Sequence, residues 1–249
     1  MAAPALVPAA ARTLDLLEAF RVARRPLSLS ELARLARVPV STCHGLVRTL
    51  EHKGFLYFPS QREAYPTRKL LEMAREIEAN DPVASRLTPA LEALRDATGE
   101  TVILGTRQDN AVIYLLVLDS PQIVRYTARA GEYKPLHSSS IGKAVLGSMP
   151  GTALADWLRG NELPRVTEHT ITSSRRLKRD IEESRARGYY LTRGENVADV
   201  MAIAAPLGDE AGVFGIAIAG PLHRMEAAER THAARLQQAI RAIEEQSRG

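Results

Sequence analysis

The chain has 249 residues, 45% of them hydrophobic and 25% charged, a soluble globular composition that excludes disordered, collagen-like and coiled-coil proteins. Its formal charge of +4 is unevenly placed: residues 1–80 carry 12 Lys and Arg against 8 Asp and Glu, while the remainder balances at 21 against 21. A single cysteine, Cys43, excludes an internal disulfide framework and a Cys-rich zinc site.

The spacing of Leu6, Ala10, Leu14, Leu17 and Phe20 predicts a helix over 5–22, which Arg24-Arg25-Pro26 breaks. Ser28-Leu29-Ser30-Glu31 reads as a capping box, in which the Ser28 hydroxyl accepts from the amide of residue 31 and Glu31 returns to the cap amide. The helix it opens, about 29–36, buries Leu29, Leu32, Ala33 and Ala36 and runs into the turn Arg37-Val38-Pro39. A third helix is expected from Val40 to a C′ glycine, Gly54. Cys43, Leu46, Val47 and Leu50 form its apolar stripe, and Ser41, Thr42, His44, Arg48, Glu51 and His52 its polar face. Two short helices joined by a three-residue turn make a helix-turn-helix. The strand-like stretches 55–58 and 64–65 around the polar turn 59–63 add a wing. Residues 5–67 therefore read as a winged helix-turn-helix domain. The amphipathic stretch 68–82, with Leu70, Leu71, Ala74 and Ile77 on one side, reads as a helical linker ended by Asp81-Pro82.

Residues 83–249 form the second domain. Helices are expected at 83–98, 138–149, 152–159, 174–187 and 225–246, and strands at 101–107, 111–118, 123–128, 189–193, 200–207 and 213–219. The hairpin-like strand spacing favours an antiparallel sheet flanked by helices, an α+β architecture. Between residues 21 and 70, ten basic residues face only Glu31, Glu51 and Glu63, the electrostatic footprint of a nucleic-acid-binding module. The longest apolar runs, 200–207 and 213–219, fall far short of the ~18 residues a membrane span needs. No basic segment precedes an apolar N-terminal core, so no signal peptide is expected and the cytoplasm is the default compartment. His44 and His52, or His223 and His232, lack metal-ligand spacing, so neither a metal nor another cofactor is expected.

Several short stretches, in order, resemble the IclR family of bacterial transcriptional regulators. In the first domain they are Leu27-Ser28-Leu29-Ser30-Glu31-Leu32-Ala33, Ser41-Thr42-Cys43-His44 and Leu50-Glu51-His52-Lys53-Gly54-Phe55-Leu56. In the second they are Thr98-Gly99-Glu100-Thr101-Val102, Pro135-Leu136-His137, Gly142-Lys143-Ala144, Arg187-Gly188-Tyr189, Ile203-Ala204-Ala205-Pro206 and Gly220-Pro221. The resemblance implies a winged helix that binds double-stranded operator DNA and a GAF/PAS-like effector domain that binds a small organic molecule. It also implies a repressor or activator that is a homodimer through the DNA-binding domain, often a dimer of dimers. The helix bearing Leu6, Leu14 and Leu17 and the linker are the expected dimer surfaces.

On the DNA side the expected contacts are Ser41, Thr42, His44 and Arg48 on the recognition helix, Arg62 at the wing tip, and Arg68 and Lys69 beyond it. Val40 and Gly45 stand where family members commonly carry basic residues, which shifts the charge to the arginines and lysine. Cys43, on the apolar stripe, is expected to be a buried small hydrophobe rather than a redox switch.

Carried over by position, the effector pocket falls on Ser140, Ile141 and Gly142 at a helix start, on Thr192 and Glu195, and on Ala202, Ala217 and Ala219. Members that bind small keto acids commonly have a carboxylate near Thr192, a cysteine at Ala202 and serines at Ala217 and Ala219. The alanines here favour a larger, less polar ligand, such as an aromatic acid whose carboxylate meets the amides of residues 140–142. In a competing reading Met201 or Tyr133 fills that space. Two other classes of function compete with this one. Ser140-Ile141-Gly142-Lys143 matches the S-x-x-K of acyl-transferring enzymes, although the S-D-N and K-T-G elements are missing. A DNA-binding architectural protein would not need the large, neutral second domain.

Overall fold

The computed structural model describes residues 6–209 and 212–246, and the chain divides after Asp81 into two units. The first begins with helix α1 (Pro8–Ala23), strand β1 (Leu27–Ser28), α2 (Leu29–Leu35) and α3 (Val40–His52). The hairpin β2 (Leu56–Ser60) and β3 (Glu63–Pro66) follows, then α4 (Lys69–Ala79). The capping box forms as the sequence predicts: Ser28 Oγ accepts from the Glu31 amide, and Glu31 Oε2 accepts from the Ser28 amide at 2.9 Å. Gly54 takes the left-handed conformation (φ 76°) after α3, and the amides of Gly54 and Phe55 donate to the carbonyls of Glu51 and Leu50. Strand β3 lies between β1 and β2, all antiparallel.

The core of this unit joins Leu32 and Ala33 of α2 to Cys43, Val47 and Leu50 of α3, with Leu27, Leu56 and Ala64 from the strands. Cys43 is fully buried, and burial pushes its thiol pKa up, so it acts as a small hydrophobe. Helix α1 departs from the expected face. It buries Leu16, Ala19 and Phe20 and leaves Leu14 exposed, while Leu6 lies exposed ahead of the helix. Phe20, packed edge-on to Tyr65 at 6.1 Å, belongs to the buried stripe, so Leu14 turns to the other side of the helix.

The second unit opens with α5 (Pro82–Thr98), β4 (Thr101–Gln108), β5 (Ala111–Leu118) and β6 (Tyr133–Pro135). Helices α6 (Ser140–Ser148), α7 (Gly151–Gly160) and α8 (Ser174–Arg187) precede β7 (Tyr190–Arg193), β8 (Val200–Asp209) and β9 (Gly212–Pro221). Helices α9 (Leu222–Ala227) and α10 (Glu229–Gln246) end it, replacing the single helix expected over 225–246. The six strands form one antiparallel sheet in the order β6-β5-β4-β9-β8-β7.

Both faces of this sheet are covered, which explains why its strands read as nearly continuous apolar runs. Alternation sends Val102, Leu104, Ile203, Ile216 and Ile218 to one face, with α5 and α10. Ile103, Ala204, Ala217 and Ala219 go to the other, with α6, α7 and α8. Met201 belongs to the first face, away from the alanines, and Tyr133 is exposed on the edge strand with its hydroxyl 2.8 Å from Gln108 Oε1. Neither fills the alanine side.

The strand expected over 123–128 does not form. Ile123 is 96% exposed, and side chains rather than a neighbouring strand satisfy this backbone. Thr101 Oγ1 donates to the Tyr126 carbonyl at 2.6 Å, and Arg224 donates to that of Val124 at 3.0 Å. The strand that pairs with β5 on this side is the later β6.

Candidate functional site

In the first unit, α3 carries the polar side chains and the hairpin sets their limit. Ser41, His44 and Arg48 are exposed on α3 and Thr42 is half-buried, because Cys43, Val47 and Leu50 occupy the opposite stripe. The β2–β3 reversal places Gln61 and Arg62 at the tip of the wing. His44, Arg48 and Arg62 all line one groove of about 460 Å³ between the two helices and the wing. Arg48 is not free: its guanidinium lies 2.7 Å from Glu51 Oε2, an exposed pair of modest worth that a phosphate or guanine edge can replace. A side chain at Gly45 would meet nothing within 4 Å, so this part of the helix surface is open.

The two basic residues beyond the wing differ. Arg68 is exposed at the start of α4. Lys69 donates to the Lys53 carbonyl at 2.8 Å and lies 4.7 Å from the centre of the Phe55 ring. Its ammonium therefore ties the start of α4 to the end of α3.

In the second unit, a small cavity opens over the alanine face of the sheet. It gathers Ser140, Thr192, Ala202, Ala217 and Ala219 from the expected residues. The register explains the grouping: Thr192 pairs with Ala202, Ala202 with Ala219, and Ala217 with Ile103. The space measures about 30 Å³, close to one water's share of liquid volume. A ring-sized ligand must therefore displace side chains at the rim, where Tyr126, Asn196 and Val197 come from segments outside the strands.

Three expected pocket residues sit elsewhere. Ile141 is buried against Gly105 and Gly215 of the sheet. Gly142 packs against the Leu136 backbone, where a Cβ would collide, and its amide donates to the Ser139 hydroxyl that caps α6. That leaves the amides of Ser140 and Ile141, not all three, for a ligand. Glu195 points to Lys143. The Lys143 ammonium, fully buried, donates to Glu195 Oε1 at 2.7 Å and the Leu191 carbonyl at 3.3 Å, and lies 2.9 Å from Asp180 Oδ2. Lys143 is thus held by two carboxylates and a carbonyl, with no hydrogen bond to Ser140.

Sequence reading missed Tyr114, Tyr126, Ser139 and Asn196, the other polar groups lining the cavity. Tyr114 sits in the apolar run of β5 and lines the cavity together with Tyr126. Burial holds its phenol well above the ordinary tyrosine range, so it stays protonated. Only strand register, which places Tyr114 opposite Gly105, brings it near the alanines. Among the described residues no cluster of His, Cys, Asp and Glu is arranged to hold a metal ion, and no helix is long and apolar enough to cross a membrane.

A winged helix with a basic reading face, carried on one chain with a sheet domain that holds a small cavity, defines a DNA-binding regulator with a sensor domain. The IclR helix-turn-helix domain model matches residues 9–60, and that of the bacterial transcriptional regulator IclR C-terminal domain matches residues 77–246. The chain belongs to the IclR family of transcriptional regulators. It is 34% identical over 190 residues to the HTH-type transcriptional regulator BhcR of Paracoccus denitrificans, covering 74% of this chain and 67% of that one. To the transcriptional repressor AllR of Klebsiella pneumoniae it is 31% identical over 189 residues, covering 75% and 70%. Among solved structures it is similar to an IclR homologue from Microbacterium hydrocarbonoxydans complexed with 4-hydroxybenzoate. That match has a TM-score of 0.79 and 26% identity, over 96% of this chain and 99% of that one. The Thermotoga maritima IclR matches with a TM-score of 0.76 and 26% identity, again over 96% and 99%. Nothing in these likenesses supports the acyl-transfer alternative.

Proposed function

We propose that this chain is a homodimeric regulator that binds operator DNA through α3 and the wing, and whose effector is an aromatic acid held in the second unit. The observation that carries the reading is the cavity itself. Ile103, Ala202, Ala217 and Ala219 make an apolar floor, and a few hydroxyl groups, the Asn196 amide and two valines, with no cationic side chain, line the rest. Such a lining suits a weakly polar ring better than a two- or three-carbon keto acid. The likeness to a homologue complexed with 4-hydroxybenzoate supports the same class. The alternative of a chain with catalytic activity has no nucleophile-base pair behind it, since Lys143 is committed to Glu195 and Asp180. Exposed Leu6 just ahead of α1, Leu14 and Val22 on α1, and Leu71 and Ile77 on α4 support self-association.

Thermal-shift measurements with aromatic and keto acids test the effector. A melting temperature raised by benzoates and not by glyoxylate or pyruvate is expected, and the reverse order would overturn the assignment. Analytical ultracentrifugation tests the assembly: a monomer at micromolar concentration, with and without DNA, would remove the dimer.

A further inference from the structure

We infer that Phe58, on the wing strand β2, is a base-reading residue of the DNA interface, and that the base it reads is thymine, by its methyl group. The inference rests on the reading that α3 and the wing hold the operator, and adds to it a contact made without charge or hydrogen bond. The groove between α2, α3 and the wing is lined by His44, Arg48, Gln61 and Arg62 and by no acidic residue, so its charge suits DNA. Most of its apolar lining is committed elsewhere: Leu32, Val47 and Ala64 are buried in the core, and Leu29 packs against it. Phe58, 39% exposed, is the large apolar side chain that this groove offers to a partner.

The other aromatic side chains of this unit have partners. Tyr57 and Phe20 lie edge-on to Tyr65 at 6.4 and 6.1 Å, and Phe55 lies under the Lys69 ammonium. Phe58 makes no such ring or cation contact among the described residues. Strand β2 is at the edge of its sheet, and its pairing with β3 shifts register between Tyr57 and Ser60, around Pro59, which has no amide proton to give the ladder. Such an irregularity bends a strand and re-aims its side chains, and here Phe58 lines the groove that α3 also lines. A phenyl ring neither donates nor accepts a conventional hydrogen bond, so it gains little from the phosphates that position a protein on DNA. Among the base edges of the major groove, the apolar group is the C5 methyl of thymine. Phe58 shares its groove with His44 and Arg48 of the helix that reads the major groove, which is the side where that methyl lies.

The test is an operator selected by the full chain from random-sequence DNA, then resynthesised with uracil in place of one thymine at a time. Uracil lacks only the methyl group. At the thymine that Phe58 reads, fluorescence anisotropy should show binding weakened about fourfold, the worth of one methyl group taken out of water. Phe58→Ala should bind the thymine operator more weakly and be indifferent to uracil at that position, with an unchanged salt slope because no phosphate contact is lost. Phe58→Gln makes the same comparison if Phe58→Ala fails to fold. Tolerance of uracil at every thymine, or a sensitivity that survives in the variant, would overturn the Phe58 assignment and leave the reading of α3 and the wing standing. So would a loss in Phe58→Ala that is equal for all sequences, the mark of a contact to the sugar that every nucleotide shares. A full chain that enriches no sequence, or binding that neither Arg48→Ala nor Arg62→Ala weakens, would overturn that reading and the Phe58 assignment with it.

Discussion

Lys143 on α6 and Glu195 after β7, 52 residues apart, form a buried ion pair 2.7 Å long beside the cavity, with Asp180 of α8 as a second, partly exposed carboxylate. The pair fixes the segment that supplies Asn196 and Val197 to the cavity wall. Thr170 Oγ1 reinforces it by donating to the Glu195 carbonyl at 2.7 Å. Removing one partner of a buried pair leaves the other charge uncompensated, at a cost of about 3–5 kcal/mol. Lys143→Met should destabilise the protein by that amount in urea denaturation. Glu195→Gln should cost less, because Asp180 still balances the ammonium. A Lys143→Met loss below about 1 kcal/mol would show that water already reaches this group.

On DNA the three basic side chains should separate by role. Against an operator selected from random-sequence DNA, Arg48→Ala should weaken binding by about 1–3 kcal/mol and relax the preference at one base pair. Arg62→Ala, at the wing tip, should weaken all sequences alike and reduce the salt slope by about one. Lys69→Ala should leave DNA affinity nearly unchanged and lower stability instead, since its ammonium is engaged by the Lys53 carbonyl and Phe55. Fluorescence anisotropy across a salt series distinguishes the three outcomes.

Local signals carried much of this far. The capping box at Ser28 and Glu31, the Cys43–Leu50 stripe and the Gly54 stop lie within a few residues of what they determine, so the helix-turn-helix was legible. Legibility failed where a distant partner decides. Helix α1 offers two apolar stripes, and only contact with Tyr65 and its neighbours selects the one with Phe20. The stretch 123–128 has strand-like residues, but Thr101 and Arg224 take its carbonyls. The alanines of the cavity floor could be carried over by position. Tyr114 and Tyr126 could not, because strand register and a loop bring them to the cavity. Position assigns Glu195 to the ligand, and only the fold reveals that its partner is Lys143.

The capping box also predicts a pH dependence. The Arg25 guanidinium, 2.5 Å away, together with the hydroxyl and amide of Ser28, holds the Glu31 carboxyl down to about 2, from an ordinary 4.5. The unfolded chain therefore takes up this proton first. The stability that Glu31 contributes is complete above pH 4.5 and is lost as pH falls from 4.5 toward about 2. Glu31→Gln removes the titrating charge, so the difference in stability between the two proteins should shrink over that window and stay flat above it. Hydrogen exchange of the amides in residues 28–36, followed against pH, measures it. A difference that grows on acidification would reverse the assigned sign.

Ala202 provides the sharpest test of the cavity. It is half-buried on β8, directly between Thr192 and Ala219 in the register, and its methyl group borders a space of about 30 Å³. Leucine adds three carbon atoms there, more than that space holds, so Ala202→Leu should abolish the effector-induced rise in melting temperature. Overpacking should itself cost about 1–3 kcal/mol, which circular dichroism and the ligand-free melting temperature will reveal as a shift rather than a loss of folding. DNA affinity without effector should remain within about twofold, because α3 and the wing belong to the other unit and have their own core. Ala202→Ser is the matched control: it adds one polar atom, should tolerate the ring, and should improve binding of small keto acids relative to the unmodified chain. If Ala202→Leu still responds to an aromatic acid, the ligand lies outside this cavity. Tight binding of glyoxylate or pyruvate by the unmodified chain would show instead that three alanines do not exclude a small polar acid, and that the amides of Ser140 and Ile141 suffice to hold one.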